Sequence, residues 1–143
     1  MRRILKLIVL LLVVACVGAA VAGEMTISRS NPPERYSGTI LSAEADPILK
    51  RACFDCHSNE TRYPWYSYLP GASLVLAEHV RDGRDELNFS LWDKMDAKRK
   101  AKKLHEIAEE VDEGKMPTWD YQMLHSEAKL SAADVAIIKN AAR

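Results

Sequence analysis

Acidic residues are missing from the first 23 positions of the sequence. Arg2, Arg3 and Lys6 stand there alone, before a nearly unbroken apolar run from Leu7 to Ala22. A basic start followed by such a run marks an export segment, which is set apart from the fold. Three fates are open to it. Ala20-Val21-Ala22 offers a small-residue cleavage site before Gly23. Ile4 to Ala22 is also about the length that spans a bilayer uncleaved. Val13-Val14-Ala15-Cys16 loosely matches a lipoprotein signal, against which the apolar residues after Cys16 count. In each case the basic end stays inside, and the chain from Gly23 onward lies outside.

Net positive charge is also lacking. The chain carries 20 basic and 20 acidic groups, and the three basic groups before residue 23 leave 17 against 20 beyond it, a net of −3. A mildly acidic domain lacks the electrostatic footprint of a nucleic-acid binder. Cysteine is scarce as well, with three in the chain, and Cys16 belongs to the export segment. Cys53 and Cys56 alone exclude a disulfide framework. No repeats occur, and no segment alternates as a strand does.

What remains is helical patterning. Residues 23–44 carry Pro32-Pro33, Gly and Ser, and read as a flexible linker. Order is expected from 45 to 143. Asp46 as N-cap and Pro47 as first helical residue open a short helix with Ile48, Leu49 and Ala52 on one face. A second helix is expected over about 72–84, with Ala72, Val75, Leu76, Val80 and His79 on its apolar stripe. "NFS" at 88–90 reads as a turn, with Ser90 or Asp93 capping a third helix. That helix carries Leu104, Ile107, Ala108 and Val111 and ends at Gly114. Residues 115–130 read as loop, and Ser131 to Asp134 has the spacing of a capping box for a last helix. Around 100 ordered residues with long loops bury little apolar surface, so a large apolar cofactor would supply the missing core.

Cys53-Phe-Asp-Cys56-His57 supplies the place for one. Residues three apart on a helical turn face the same way. Two thiols so placed can each add to one vinyl group of a haem, and the adjacent imidazole of His57 then meets the iron as axial ligand. A structural zinc site would want two further ligands at regular spacing, and His79, His105 and His125 are scattered. A thioredoxin-like dithiol expects a βαβ setting that is lacking.

For the second axial position, Met116 is the candidate. It precedes Pro117, which stiffens the loop. His125 is the alternative distal ligand, and His79 a further competitor; His105 is expected to be exposed. Tyr63, Trp65, Tyr66 and Tyr68 read chiefly as core, with a haem wall as the second reading and Arg62 near a propionate. Six basic residues between Lys94 and Lys103 read as a solvated helix face that could steer an acidic redox partner.

Three blocks, "ACFDCHSNETRYPWYS", "VRDGRDELNFSLW" and "GKMPTWDYQMLHSEAKLS", resemble in order and spacing the haem-binding domain family of small bacterial c-type cytochrome-like proteins. The resemblance runs from about Pro47 to Asp134. It implies covalent haem at Cys53 and Cys56, His57 as axial ligand, and a membrane-tethered or periplasmic location. The family's Met-Pro and later His fall on Met116-Pro117 and His125, with Ser126 where Pro often follows that His. The chain stops at Arg143, so a short last helix is expected.

The expected molecule is therefore all-α: a small cytochrome c-like helical domain at 45–143 around one haem c, behind a signal or anchor at 1–22 and a linker at 23–44. Its expected work is one-electron transfer with redox partner proteins at the periplasmic side of the bacterial inner membrane, with no substrate catalysis. The competing readings are a haem enzyme of peroxidase type or a haem sensor with an open iron, and a zinc-stapled structural module.

Overall fold

The apolar N-terminal run forms one helix, α1 (Arg2–Thr26). A computed structural model describes residues 2–143, those of 24–26 by backbone alone, and Met1 of the expected 1–22 segment lies outside the described residues. Arg2–Gly23 of α1 is long and apolar enough to cross a membrane by length and composition, and none of it is buried. A signal sequence has the same properties.

Six helices follow: α2 (Asp46–Ala52), α3 (Phe54–His57), α4 (Ala72–Glu86), α5 (Ala97–Asp112), α6 (Trp119–Leu124) and α7 (Ala132–Ala141). Short 3-10 turns occur at Trp65–Tyr68, Phe89–Lys94 and Ser126–Ala128. Among the described residues no strand occurs, and the chain is all-α. It divides into two compact units, Met1–Ser30 with Tyr63–His79, and Asn31–Arg62 with Val80–Arg143.

The second unit holds the core: Ile40, Ile48, Leu49, Phe54, Leu87, Phe89, Trp92, Ile107, Val111 and Ile138. Phe54 stacks on Phe89 with ring centroids 5.2 Å apart. The expected stripes of α2 and α5 supply Ile48, Leu49, Ala52, Ile107 and Val111. Gly114 ends α5 in the left-handed region, at φ +68°.

Several expectations are corrected. Residues 31–44 have no helix, in keeping with their Pro, Gly and Ser content, yet Ile40 enters the core and Asn31 donates to the Thr61 carbonyl at 2.9 Å. Asp46 does not cap α2; the N-cap position is Ala45, which makes no side-chain cap. The Asp46 carboxylate instead accepts the Ile40 and Leu41 N–H groups, both at 2.9 Å, and so fastens the preceding segment. The cap of α5 is Asp96, whose side chain accepts the Arg99 N–H, and neither Ser90 nor Asp93 serves. Asn88 caps the 3-10 turn before it. On α4, Leu76 and Val80 are buried but Val75 is exposed, and Ser73 takes its place. Residues 115–130 are not all loop, since α6 and a 3-10 turn lie within them.

In the first unit Trp65 is 74% and Tyr68 60% exposed, so these two rings are not core. Arg29 donates to the Ser67 carbonyl and lies over the Tyr68 ring at 4.6 Å. In the basic run, Lys103 is not solvated: it is buried and paired with Glu86 and Glu106. His105 is exposed, as expected.

Candidate functional site

The Cys-x-x-Cys-His motif forms a tight turn. Cys53 caps α2 and opens α3, and the Cys56 and His57 N–H groups both donate to the Cys53 carbonyl, at 3.2 and 2.9 Å. Both cysteines are free thiols. Burial pushes the Cys53 thiol up to about 12, with the neighbouring Cys56 adding to the effect. Burial, then the Asp55 and Asp120 carboxylates, push Cys56 up to about 11. Both stay protonated at neutral pH.

His57 is held from behind. Its Nδ1 lies 3.1 Å from the Leu87 carbonyl. A carbonyl only accepts, so Nδ1 carries the proton and Nε2 is left with its lone pair. Burial is the first cause that lowers the His57 pKa, which favours the neutral imidazole a metal requires.

The end of α4 and the segment after it hold this turn. Asn88 Nδ2 donates to Asn59 Oδ1 at 2.8 Å, and Ser90 Oγ accepts the Asn59 N–H at 2.9 Å. Arg84 reaches the Ser58 carbonyl at 2.8 Å and Thr61 Oγ1 at 2.9 Å. "NFS" is thus more than a turn: its polar groups dock the residues that follow His57. The sequence signal for this was present in Asn88 as a capping type, but its partner Asn59 lies 29 residues away.

Asp55, between the two cysteines, is buried and accepts from three directions. The Tyr121 hydroxyl donates at 2.7 Å, the Arg62 N–H at 3.1 Å, and the Arg62 guanidinium at 3.3 Å. The second reading of the aromatic cluster puts Arg62 near a propionate; its partner in the structure is Asp55. Asp55 and Tyr121 were not singled out from sequence, because a carboxylate inside the motif carries no periodic signal.

Met116 is 37% exposed. Its N–H is pinned to the Glu110 carbonyl at 3.2 Å, and its bond to Pro117 is cis. Trp119, Met123 and Leu124, on the helix that follows, are exposed at 75%, 71% and 63%. The Tyr121 hydroxyl on this helix donates to Asp55, so the helix lies beside the attachment turn. His125 is placed differently. Its ring stacks on Tyr121 at 4.1 Å, and its Nδ1 lies 3.1 Å from Glu127 Oε1. His79 is half-buried on α4 in the first unit. Among the described residues no three of His, Cys, Asp and Glu gather to hold a metal ion.

These residues fit a haem. They offer two free thiols on one turn, a neutral imidazole oriented through Nδ1, and exposed apolar side chains at Met116, Trp119 and Met123 on the segment that Tyr121 ties to that turn. Neither a curated protein nor a solved structure matches the chain. The haem-binding domain model does, over residues 17–143, and the chain belongs to that family.

Proposed function

We propose that this haem-binding domain carries one haem c, joined by thioether bonds to Cys53 and Cys56, and works as an exported one-electron carrier. The observation that carries this reading is the pairing of two free thiols on one turn with a His57 whose Nδ1 is already engaged by Leu87. Each thiol adds its S–H across one vinyl C=C: sulfur bonds to one carbon, the proton goes to the other, and no oxidant is consumed. The addition needs two sulfurs that are not joined to each other, as Cys53 and Cys56 are here. When bound, the haem supplies an iron that gains and loses one electron. His57 would hold it through Nε2, and donation from Nδ1–H to the Leu87 carbonyl fixes the ring and strengthens it as a donor.

Met116 is the proposed distal ligand, with His125 the alternative. What supports Met116 is its exposure and its place just before a helix that Tyr121 ties to the attachment turn at Asp55. His125 has its ring stacked on Tyr121, and its Nδ1 bond to Glu127 leaves Nε2 open, which keeps it as the alternative. The exposure of Met116 also leaves a second reading, an open iron working as a peroxidase-like enzyme or sensor. Among the described residues no three of His, Cys, Asp and Glu gather as a zinc-stapled module requires.

Export rests on α1, with Arg2, Arg3 and Lys6 at its start and a span of about 33 Å over 22 residues, against the ~30 Å core of a bilayer. The domain then faces the periplasm, anchored or released, where redox proteins are its partners. A C-terminal reporter active only in the cytoplasm stays silent on this reading, and a signal from it refutes the topology.

The test of the ligand set is the optical spectrum of the loaded protein in both oxidation states. Met116→Ala removes the far-red band of a Met-ligated ferric haem, lowers the potential and opens the iron. If the wild type lacks that band, and His125→Ala or His79→Ala alone opens the iron, Met116 is packing. A wild-type iron that is already five-coordinate moves the reading to enzyme or sensor.

A further inference from the structure

We infer that the Asp55–Tyr121 hydrogen bond is a clamp that holds the segment from Met116 to His125 against the haem-attachment turn, and that Tyr121 is the positioning residue that limits access of small ligands to the iron. The inference rests on the covalent-haem reading above.

The segment needs such a tie. Helix α6 has six residues and none of them is buried. So short a helix does not persist by its own hydrogen bonds, and here it has no hydrophobic anchor of its own. Its two ends are fixed to other elements. Upstream, the Lys115 and Met116 N–H groups donate to the Glu110 carbonyl at the end of α5. Downstream, Arg51 on α2 donates to the Glu127 and Lys129 carbonyls. Between these ends, Tyr121 ties the segment to the attachment turn itself, at the residue between the two cysteines.

The bond is of a strong kind. Its acceptor is a carboxylate with 7% exposure, already oriented by the Arg62 backbone and guanidinium. Hydrogen bonds to ionised groups in such surroundings are shorter and stronger than neutral ones. Burial raises the Tyr121 pKa, and the bond to Asp55 raises it further, so the phenol stays a donor throughout the physiological range. Tyr121 serves the other end of the segment too, because its ring lies flat on His125, with 11° between planes.

The decisive variant is Tyr121→Phe. It removes the hydroxyl and keeps the ring on His125. In full-length haem-loaded protein, imidazole should bind the ferric iron at least roughly tenfold more tightly than in wild type, as expected for losing a hydrogen bond to a charged acceptor. The far-red band should weaken in parallel. Asp96→Ala, which removes the N-cap at the opposite end of α5 from Glu110, should leave both readouts unchanged, separating the clamp from general destabilisation. Imidazole affinity in Tyr121→Phe within about twofold of wild type overturns the clamp. If the chain carries no covalent haem, the functional reading fails, and the clamp is judged on the same chain by amide exchange. Exchange at 119–124 at least roughly tenfold faster in Tyr121→Phe then supports the clamp, and unchanged exchange overturns it.

Discussion

A Cβ on Gly83 would stand 2.7 Å from the Cys56 carbonyl oxygen. Helix α4 therefore passes the attachment turn at a distance that glycine alone permits, and the next residue, Arg84, grips the Ser58 carbonyl. The clash is with backbone, which cannot swing aside. Alanine favours a helix over glycine by up to about 1 kcal/mol, whereas overpacking of this kind costs about 1–3 kcal/mol, so the net sign is destabilising. Gly83→Ala should lower the urea midpoint and the yield of haem-loaded protein. A midpoint raised by Gly83→Ala would mean that α4 and the turn are not in contact.

The thiols should be slow to react before haem is attached. A pKa moved from 9.0 to about 11 at Cys56 leaves about a hundredfold less thiolate at pH 8, and Cys53 is moved further. Alkylation of the folded haem-free chain by iodoacetamide should be at least about a hundredfold slower than in urea. Equal rates in the two conditions would refute the raised thiol pKa values.

Ser131 and Asp134 form a reciprocal cap on α7, and Arg51 joins it at 2.7 Å. Ser131→Ala should cost about 1 kcal/mol by urea denaturation. The Ser131 side chain, then its backbone N–H, then Arg51 hold the Asp134 carboxyl down to about 2 from 3.8. A depressed carboxyl contributes stability that is full above its unfolded value and lost as pH falls through its folded one. The advantage of wild type over Asp134→Asn should be constant above pH ~5 and shrink between about pH 4 and 2. An advantage that stays constant down to pH ~2 contradicts the assignment.

Much of this architecture is written locally. The Ser131–Asp134 spacing, the Gly114 stop and the stripes of α2 and α5 depend on neighbours within a turn or two, which a sequence displays directly. What escaped depends on partners far along the chain. Asp46 reads as a cap, but its carboxylate is taken by the segment before it. Lys103 reads as solvated, and a carboxylate 17 residues earlier makes its burial tolerable. Trp65 and Tyr68 read as core because aromatic rings usually are, yet both face outward. At the site, Cys53, Cys56 and His57 announce themselves by spacing. The groups that hold them, Leu87, Asn88, Gly83 and Tyr121, share no local pattern with the motif. Tyr121 lies 66 residues from Asp55. The isolated Gly83 inside a helical pattern was the one local sign that a backbone comes close.

The central claim is that haem is bonded to Cys53 and Cys56, and intact mass in denaturant tests it most directly. The full chain is expressed with export and haem c maturation, then unfolded and weighed. The account predicts a mass above the apo-chain by one haem, lost when Cys53 and Cys56 are both changed to Ala. An apo mass, with all the haem passing into acidified organic solvent, would contradict it.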